Sequence, residues 1–277
     1  MMFRKYGILG IALIVFVQMN YLLKVQPFAN WYFPIVWAGY ILVIDALIYK
    51  LRRNSLISTR RGQFLGMIII STLLWWIFEF MNLNVTNWSY TRIPEFTTTA
   101  RNFYGTIAFA TVLPAFFETV ELIRSIHLFD HKKLKKKHRI SKTFLHIMIG
   151  IGFIMFVLPL IFPMYFYPLV WITFFFILDP INYLHKQPSI IQHIKDRNLV
   201  IPLSLLAAGA VMGFFWEFWN YWAIPKWTYD IPFFGFFKIF EMPILGYLGY
   251  FPFAFELYAM YFFIRSLLLR KEKLLTS

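Results

Sequence analysis

The sequence predicts an all-α polytopic membrane protein with about eight transmembrane helices, arranged as two tandem parallel four-helix repeats. The first observation is composition: of 277 residues, 60% are hydrophobic, 22% are aromatic and only 14% are charged. A soluble domain cannot bury that much apolar surface. The second observation is a series of eight long apolar runs. The third is a set of matching residues in the two halves of the chain.

The eight apolar runs are each long enough to cross a bilayer, which takes roughly 20 residues of helix. The first run follows a basic start but lacks a small-residue cleavage motif, so we expect a retained helix and not a signal peptide. Runs of this length satisfy their own backbone hydrogen bonds as helices, so a barrel is not expected. The predicted spans are about 7–24, 31–50, 63–82, 103–126, 143–161, 164–185, 199–221 and 240–264.

The basic residues fall in alternate loops. Lys and Arg cluster at the N-terminus, in the loops 50–61, 124–142 and 186–197, and in the C-terminal tail, whereas the intervening loops are poor in them. With eight spans, this pattern predicts cytoplasmic termini in a plasma or inner membrane. The formal charge of +14 is therefore interpreted as a topology signal that also meets anionic lipid headgroups, and no nucleic acid is expected as a partner.

The two halves of the chain share residues in the same order. Residues 34–49 match 168–183, with proline, tryptophan, aspartate and tyrosine repeated 134 positions apart. Further along, "FEFMN" (78–82) matches "WEFWN" (216–220), "NWSY" (87–90) matches "KWTY" (226–229), and "PAFFE" (114–118) matches "PFAFE" (252–256). These matches predict a tandem duplication. The first four-helix repeat is 1–130, a basic cytoplasmic linker is 131–142, and the second repeat is 143–277. Four spans per half give both halves the same orientation.

Acidic residues inside the spans are the candidate functional groups. A charge at the centre of a membrane helix costs on the order of 2.5–3.5 kcal/mol, so these side chains are expected to face the bundle interior. The predicted catalytic residues are two repeat pairs: Glu79, Glu217, Glu118 and Glu256. A further pair, Asp45 and Asp179, is expected to bind the nearby cations Arg52, Arg53 or Lys186. Hydrogen bonds that only fix helix packing are the competing interpretation of the glutamates.

The predicted substrate-binding residues surround the glutamates near the outer face. Each of two asparagines follows its glutamate by about one helical turn, and the aromatic residues lie beside them or in the loops that follow. These residues are Asn82, Asn220, Trp88, Trp227, Tyr90, Tyr229 and Trp216. The loops, stiffened by Pro94 and Pro232, are expected to fold back over the outer mouth of the bundle. An aromatic belt at the membrane interface is the competing interpretation of Trp88 and Trp227.

Several classes of chemistry lack the residues they need. The chain has no cysteine, which excludes disulfides, thiolate metal sites and cysteine nucleophiles. It contains no P-loop, GxGxxG, HExxH or GxSxG motif. Most of its six histidines lie in the basic loops. We therefore predict no metal and no cofactor.

The remaining chemistry is that of a protonated carboxyl group among aromatic rings. Such a group can protonate a lipophilic alkene, and aromatic faces stabilise the cation that forms. This favours an integral membrane enzyme that acts on an isoprenoid, carotenoid-like or other lipid substrate by carboxylate acid–base chemistry. The same groups would serve a proton- or ion-coupled transporter or channel, or a non-catalytic membrane scaffold.

The order of features in each half resembles the membrane-embedded lycopene cyclase domain of bacterial heterodimeric and archaeal fused enzymes. That family carries a Trp-acid element followed by a Pro-Glu-Glu element in tandem halves. Here Trp216 and Glu217 stand for the first element, with Glu79 in the other half. Pro252 and Glu256 stand for the second, matched by "PAFFE" (114–118). The adjacent Glu-Glu pair is missing, and each half has an extra leading span. The resemblance implies a redox-neutral, acid-catalysed cyclisation of a polyprenoid end group.

Overall fold

The computed structural model describes residues 3–93, 96–136 and 139–268, most of them helical. Within these ranges, eight helical segments are long and apolar enough to cross a membrane. They are Lys5–Leu22, Tyr32–Arg52, Arg61–Val85, Thr98–Ser125, Lys142–Ile161, Pro163–Leu184, Val200–Trp222 and Ile244–Leu268. Each predicted span overlaps one of them. Pro94 and the basic tail beyond Leu268 lie outside the described residues.

The elements follow one another with short connections. In chain order they are α1 (Lys5–Leu22), α2 (Tyr32–Arg52), α3 (Leu56–Thr59), α4 (Arg61–Val85), β1 (Trp88–Thr91), α5 (Thr98–Phe109), α6 (Val112–Ser125), α7 (Lys142–Ile161), α8 (Pro163–Phe166), a 3₁₀ helix (Tyr167–Trp171), α9 (Thr173–Leu184), α10 (Ile190–Lys195), α11 (Val200–Trp222), β2 (Lys226–Tyr229), β3 (Lys238–Ile239), β4 (Met242–Pro243), a second 3₁₀ helix (Ile244–Gly249) and α12 (Tyr250–Leu268).

Three of the eight spans are interrupted. The last begins as a 3₁₀ helix before α12, in a stretch that contains Gly246 and Gly249. The span 163–184 changes from α to 3₁₀ and back to α, and Pro168 lies at the start of its 3₁₀ stretch. Proline lacks the N–H that a continuous helix requires. The span 98–125 divides at Ala110–Thr111 into α5 and α6.

Two loop pairings define the ends of the bundle. Strand β1 pairs antiparallel with β2, and Trp88 lies opposite Tyr229 while Tyr90 lies opposite Trp227. The loops that contain "NWSY" and "KWTY" therefore lie at one end. The basic loops meet through an antiparallel bridge between Lys133 and Asn198. Because α11 connects the loop that contains Asn198 to the loop that contains β2, these two basic loops lie at the opposite end from the strands.

Aromatic side chains from both halves pack together in the core. Trp37 of α2 is fully buried and meets Trp219 of α11 edge-on, with ring centroids 4.7 Å apart. Trp75 of α4 lies 6.2 Å from Trp216 of α11. Large aromatic rings supply much of the apolar area that a core buries. This cluster fixes α4 and α11, which carry Glu79 and Glu217, beside each other.

Two buried aspartates anchor the basic loops. Asp179 accepts hydrogen bonds from the backbone N–H groups of Ile190 (2.7 Å) and Ile191 (3.0 Å). Asp45 accepts one from the backbone N–H of Ile57 at 2.8 Å. Each carboxylate thus satisfies free N–H groups at the start of a short helix, α10 or α3. The expectation of ion pairs was wrong, because the chain folds back over the aspartates and its N–H groups take the place of Arg52, Arg53 and Lys186.

Candidate functional site

A cavity of about 1010 Å³ lies between the paired strands and the aromatic core. Trp75, Trp171 and Phe253 line it from the core side. Its wall continues onto the apolar outer surface, where Phe80 is 75% exposed and Leu83 is 78% exposed. The cavity is at the upper end of the volumes typical of ligand sites. Its size and apolar wall suit a large lipophilic molecule.

Glu79 is the glutamate that lines this cavity. Its Oε1 accepts three hydrogen bonds: from Trp75 Nε1 (3.1 Å), from Trp88 Nε1 (3.2 Å) and from the Tyr90 hydroxyl (2.5 Å). Trp75 is one helical turn before Glu79 on α4, whereas Trp88 and Tyr90 reach back from β1. The Glu79 carboxyl group is therefore held by one hydrogen bond from its own helix and by two from β1.

Glu217 is fully buried and does not belong to the cavity wall. Its Oε1 accepts hydrogen bonds from the hydroxyls of Tyr229 (2.7 Å) and Tyr250 (2.6 Å), both of which line the cavity. Burial, and then the neighbouring Glu217 carboxylate, raise the pKa of the Tyr229 hydroxyl well above its ordinary value, so this hydroxyl donates. Trp227 Nε1 donates to the Tyr229 hydroxyl at 2.7 Å and does not reach the glutamate. Glu217 thus contacts the cavity only through tyrosines.

Asn82 and Asn220 hold the two strands in place. Asn82 donates from Nδ2 to the carbonyl of Trp88 (2.7 Å) and accepts at Oδ1 from the Asn87 N–H (2.9 Å). Asn220 likewise donates to the carbonyl of Trp227 (2.8 Å) and accepts from its N–H (2.9 Å). Neither asparagine lines the cavity. Both side-chain amides form hydrogen bonds with the backbone and so hold the strands that cover the cavity. The prediction that these asparagines contact substrate has no geometric support.

Glu118 and Glu256 lie away from the cavity wall, and both are fully buried. Glu256 Oε1 accepts from the backbone N–H of Phe174 at 2.7 Å. That N–H belongs to the first turn of α9, where the interruption of the span leaves it free. The Glu118 carboxyl group lies close to the carboxyl group of Asp45, and no donor group of the described residues reaches its two oxygens. Of the four predicted catalytic residues, the structure brings Glu79 to the cavity directly and Glu217 indirectly.

The aromatic residues predicted to bind substrate do meet at the cavity. Trp88, Trp227, Tyr90, Tyr229 and Trp216 all line it. Sequence reasoning missed further lining residues: Trp75, Trp171, Tyr250, Arg101 and Tyr104. The spacing of Trp75, four residues before Glu79, was a usable signal. Tyr250 has no counterpart in the first half, where Val112 stands 138 positions earlier, so the repeat did not reveal it.

The described part of the chain has no group of three or more His, Asp or Glu side chains that could hold a metal ion.

Comparison of the chain with protein-family models, with curated proteins and with solved structures finds no match in any of the three. The function is therefore inferred from the geometry of the cavity and of Glu79.

Proposed function

We propose that this chain is an integral membrane enzyme that acts on a lipophilic substrate in the aromatic cavity, with Glu79 as the group that gives and takes a proton. One observation carries this proposal. Among the four candidate glutamates, Glu79 is the one in the wall of a 1010 Å³ apolar cavity, where three donors fix its orientation. Fixed orientation of the reacting group is the main structural requirement for acid–base catalysis.

The hydrogen-bond pattern decides which oxygen of Glu79 is available. All three donors converge on Oε1, so an acidic hydrogen on this carboxyl group resides on Oε2. Oε2 is then the atom that faces a ligand in proton transfer. The two indole N–H groups and the tyrosine hydroxyl remain as fixed donors to the other oxygen before and after the transfer, so the site needs no rearrangement.

The reaction class is a redox-neutral isomerisation of an alkene, or its cyclisation where the π electrons of a second C=C bond attack the cation and form the ring bond before a proton is lost. Oε2 gives its proton to one carbon of a C=C bond, the π electrons form the new C–H bond, and the neighbouring carbon becomes a cation. The rings of Trp88, Trp171 and Trp216 line the cavity and stabilise that cation through their faces. Loss of a proton from an adjacent carbon to Glu79 forms the new double bond and restores the carboxyl group. An isoprenoid or carotenoid-like end group, as the lycopene cyclase resemblance implies, fits this chemistry.

The proposal places two tandem four-helix repeats in the membrane, with both termini and all basic loops on the cytoplasmic side. Three features support the repeat. In the β1–β2 pairing, Trp88 lies opposite Tyr229 and Tyr90 lies opposite Trp227, so the matching residues of the two strands are related symmetrically. The two asparagines make the same contacts to the two strands. The two aspartates hold the short helices α3 and α10 in the same way. In this orientation the cavity lies toward the outer leaflet, and the basic loops meet anionic headgroups.

The test is a comparison of membrane lipids with and without the active protein. Cells that express the wild-type chain should contain a modified lipid that is absent from cells expressing Glu79→Gln, because glutamine keeps the hydrogen-bond acceptor but has no transferable proton. Asp230→Asn is the matched control: Asp230 is exposed in the same loop as β2 and does not line the cavity. Identical lipid profiles for wild type and Glu79→Gln would overturn the proposal.

Proton- or ion-coupled transport is the second candidate. The observation that favours it is Glu118, a fully buried carboxyl group that lies close to a second buried carboxyl group, that of Asp45. Intramembrane acids of this kind occur in proton pathways. Transport predicts gradient-dependent flux in reconstituted vesicles that Glu118→Gln abolishes, with no modified lipid. The enzyme predicts a modified lipid and no such flux.

A further inference from the structure

One side of the cavity is formed by a polar face of α5. Arg101 and Tyr104 line the cavity three residues apart, and Asn102 lies next to them. Residues three apart lie on the same face of a helix. The rest of the wall is almost entirely aromatic and aliphatic, so the cavity has a polar region as well as an apolar one. A ligand that fills both is amphipathic.

Arg101 is the cation of this region. No other Lys or Arg lines the cavity in the described part of the chain. Arg101 is exposed, and it forms no ion pair with an acid in residues 3–93, 96–136 or 139–268. The Glu79 carboxyl is held by indole and hydroxyl donors and not by Arg101. As far as the described residues go, the guanidinium is therefore available to an anion from outside the protein.

Buried polar groups with unmet hydrogen bonds accompany this arginine. The Tyr104 hydroxyl is buried and has no hydrogen-bond partner among the described residues. Asn87, which is 5% exposed and also lines the cavity, has an unpartnered Oδ1 within the same ranges, an acceptor that a hydroxyl group of a ligand can satisfy. Leaving a buried polar group unpaired is costly, so groups of this kind mark places where a ligand supplies the partner.

We propose that the cavity holds a lipid with a phosphate headgroup, which Arg101 binds with help from Tyr104 and Asn102, while the hydrocarbon chain extends to Glu79. This inference rests on the proposed function, because it names the substrate class of the same cavity. Arginine is the side chain best suited to phosphate, since its planar fork offers two parallel N–H donors to two oxygens. A headgroup on Arg101 keeps its negative charge away from the acidic group that must transfer a proton.

The test measures binding of radiolabelled dioleoyl phosphatidic acid to the purified full-length protein in a non-ionic detergent. Dioleoylglycerol, which has the same chains and no phosphate, is the competitor. The wild type should prefer phosphatidic acid roughly 10- to 100-fold, the range expected for charge-assisted hydrogen bonds. Arg101→Gln should remove most of that preference and leave dioleoylglycerol binding unchanged. Tyr104→Phe should reduce the preference less, by about threefold to tenfold, because it removes one hydroxyl donor to the phosphate and leaves the guanidinium in place.

Arg92→Gln is the matched control, because Arg92 is an exposed arginine in the connection between β1 and α5 and does not line the cavity. This variant should bind phosphatidic acid as the wild type does. Equal losses in Arg92→Gln and Arg101→Gln would mean general surface attraction and would overturn the proposal. Equal wild-type affinity for the two lipids would overturn it as well.

A third arm separates a lipid site from a site for free phosphate esters. Glycerol 3-phosphate carries the same phosphate without hydrocarbon chains. It should compete at least about 100-fold more weakly, because it buries no chains against the apolar wall of the cavity. Competition at the same concentration as phosphatidic acid would identify a free-anion site and overturn the lipid assignment. The readout is binding without turnover. A chain that binds phosphatidic acid through Arg101 but forms no Glu79-dependent product would refute the enzyme and leave the headgroup site standing.

Discussion

The two halves of the chain place matching glutamates in different surroundings. Glu79 lines the cavity and is held on one oxygen by two indoles and a tyrosine. Glu217, its counterpart in sequence, is fully buried behind Tyr229 and Tyr250. In the first half, the tryptophan and tyrosine of the strand both donate to the glutamate. In the second half, the tryptophan donates to the tyrosine, and only the tyrosine reaches the glutamate.

Two exchanged residues account for this difference. Trp75 lies one turn before Glu79, whereas Gly213 occupies the corresponding place before Glu217. A Cβ added at Gly213 would lie 2.5 Å from the ring of Tyr250, so the glycine makes room for that ring. Tyr250 then covers Glu217 and takes the place of the missing indole donor. Two segments that share a sequence motif can therefore differ in structure, with one glutamate at an open cavity and its counterpart in sequence closed off.

The largest expected effect concerns turnover at the two glutamates. Glu79→Gln should lower formation of the modified lipid by at least about 100-fold, the usual contribution of a general acid or base. Glu217→Gln should lower it by less than about tenfold, because glutamine still accepts from both tyrosines and Glu217 does not touch the ligand. Quantitative lipid analysis of cells matched for protein level measures both. Equal losses would erase the distinction between the two sites.

The next largest effect concerns stability, for which Glu217 should matter more than Glu79. Glu217→Ala leaves two tyrosine hydroxyls without an acceptor in a closed site and should lower the free energy of unfolding by about 3 kcal/mol. Glu79→Ala should cost about 1 kcal/mol, since its donors border a cavity that water or a ligand can enter. Thermal unfolding of the detergent-solubilised variants is the measurement. A larger loss of unfolding free energy in Glu79→Ala would show that Glu79 contributes more to stability than Glu217 does.

The basic-loop end of the two halves should differ in its response to pH. Burial lowers the pKa of His193 on α10 from 6.5 to about 4, and its Nε2 lies 3.0 Å from the Tyr258 hydroxyl. The unfolded chain binds a proton at His193 below about pH 6.5, and the folded chain binds it only near pH 4. Stability therefore falls as the pH drops through this window, by about 2 kcal/mol between pH 7 and pH 5.

Thr59 stands at the corresponding position of the first half, so this dependence belongs to the second half alone. His193→Gln should remove about 2 kcal/mol of the pH-dependent change in unfolding free energy relative to the wild type. An unchanged pH profile in this variant would place the titrating group elsewhere.

The smallest expected effect should be equal in the two halves, and it concerns the asparagines that bind the strands. Asn82→Ala and Asn220→Ala each remove hydrogen bonds between a side chain and a strand, at a cost of about 1 kcal/mol per variant. Hydrogen exchange of the β1 and β2 amides should accelerate by a similar factor, about fivefold, in both variants. Because β1 and β2 pair with each other, each variant should affect both strands. Protection lost on one strand only would argue against a shared wall over the cavity.

Much of the fold followed from local patterns. Hydropathy gave the eight spans because each apolar run satisfies its backbone hydrogen bonds within itself. The break at Tyr167–Trp171 was missed, since Pro168 begins an apolar run that also reads as an ordinary helix start. The partners of Asp45 and Asp179 were missed because the N–H groups that bind them lie more than ten residues later in the chain.

The sequence by itself determined the membrane class, the span count, the matching residues of the two halves and the aromatic character of the site. Each of these depends on local composition or on order along the chain. Only the tertiary structure decided that Glu79 faces a cavity, that Glu217 is closed off, and that Glu256 holds the first turn of α9. Those outcomes depend on which distant side chain fills the space beside each carboxyl group, as Tyr250 does over Gly213, and packing between distant segments leaves no periodic signal in the sequence.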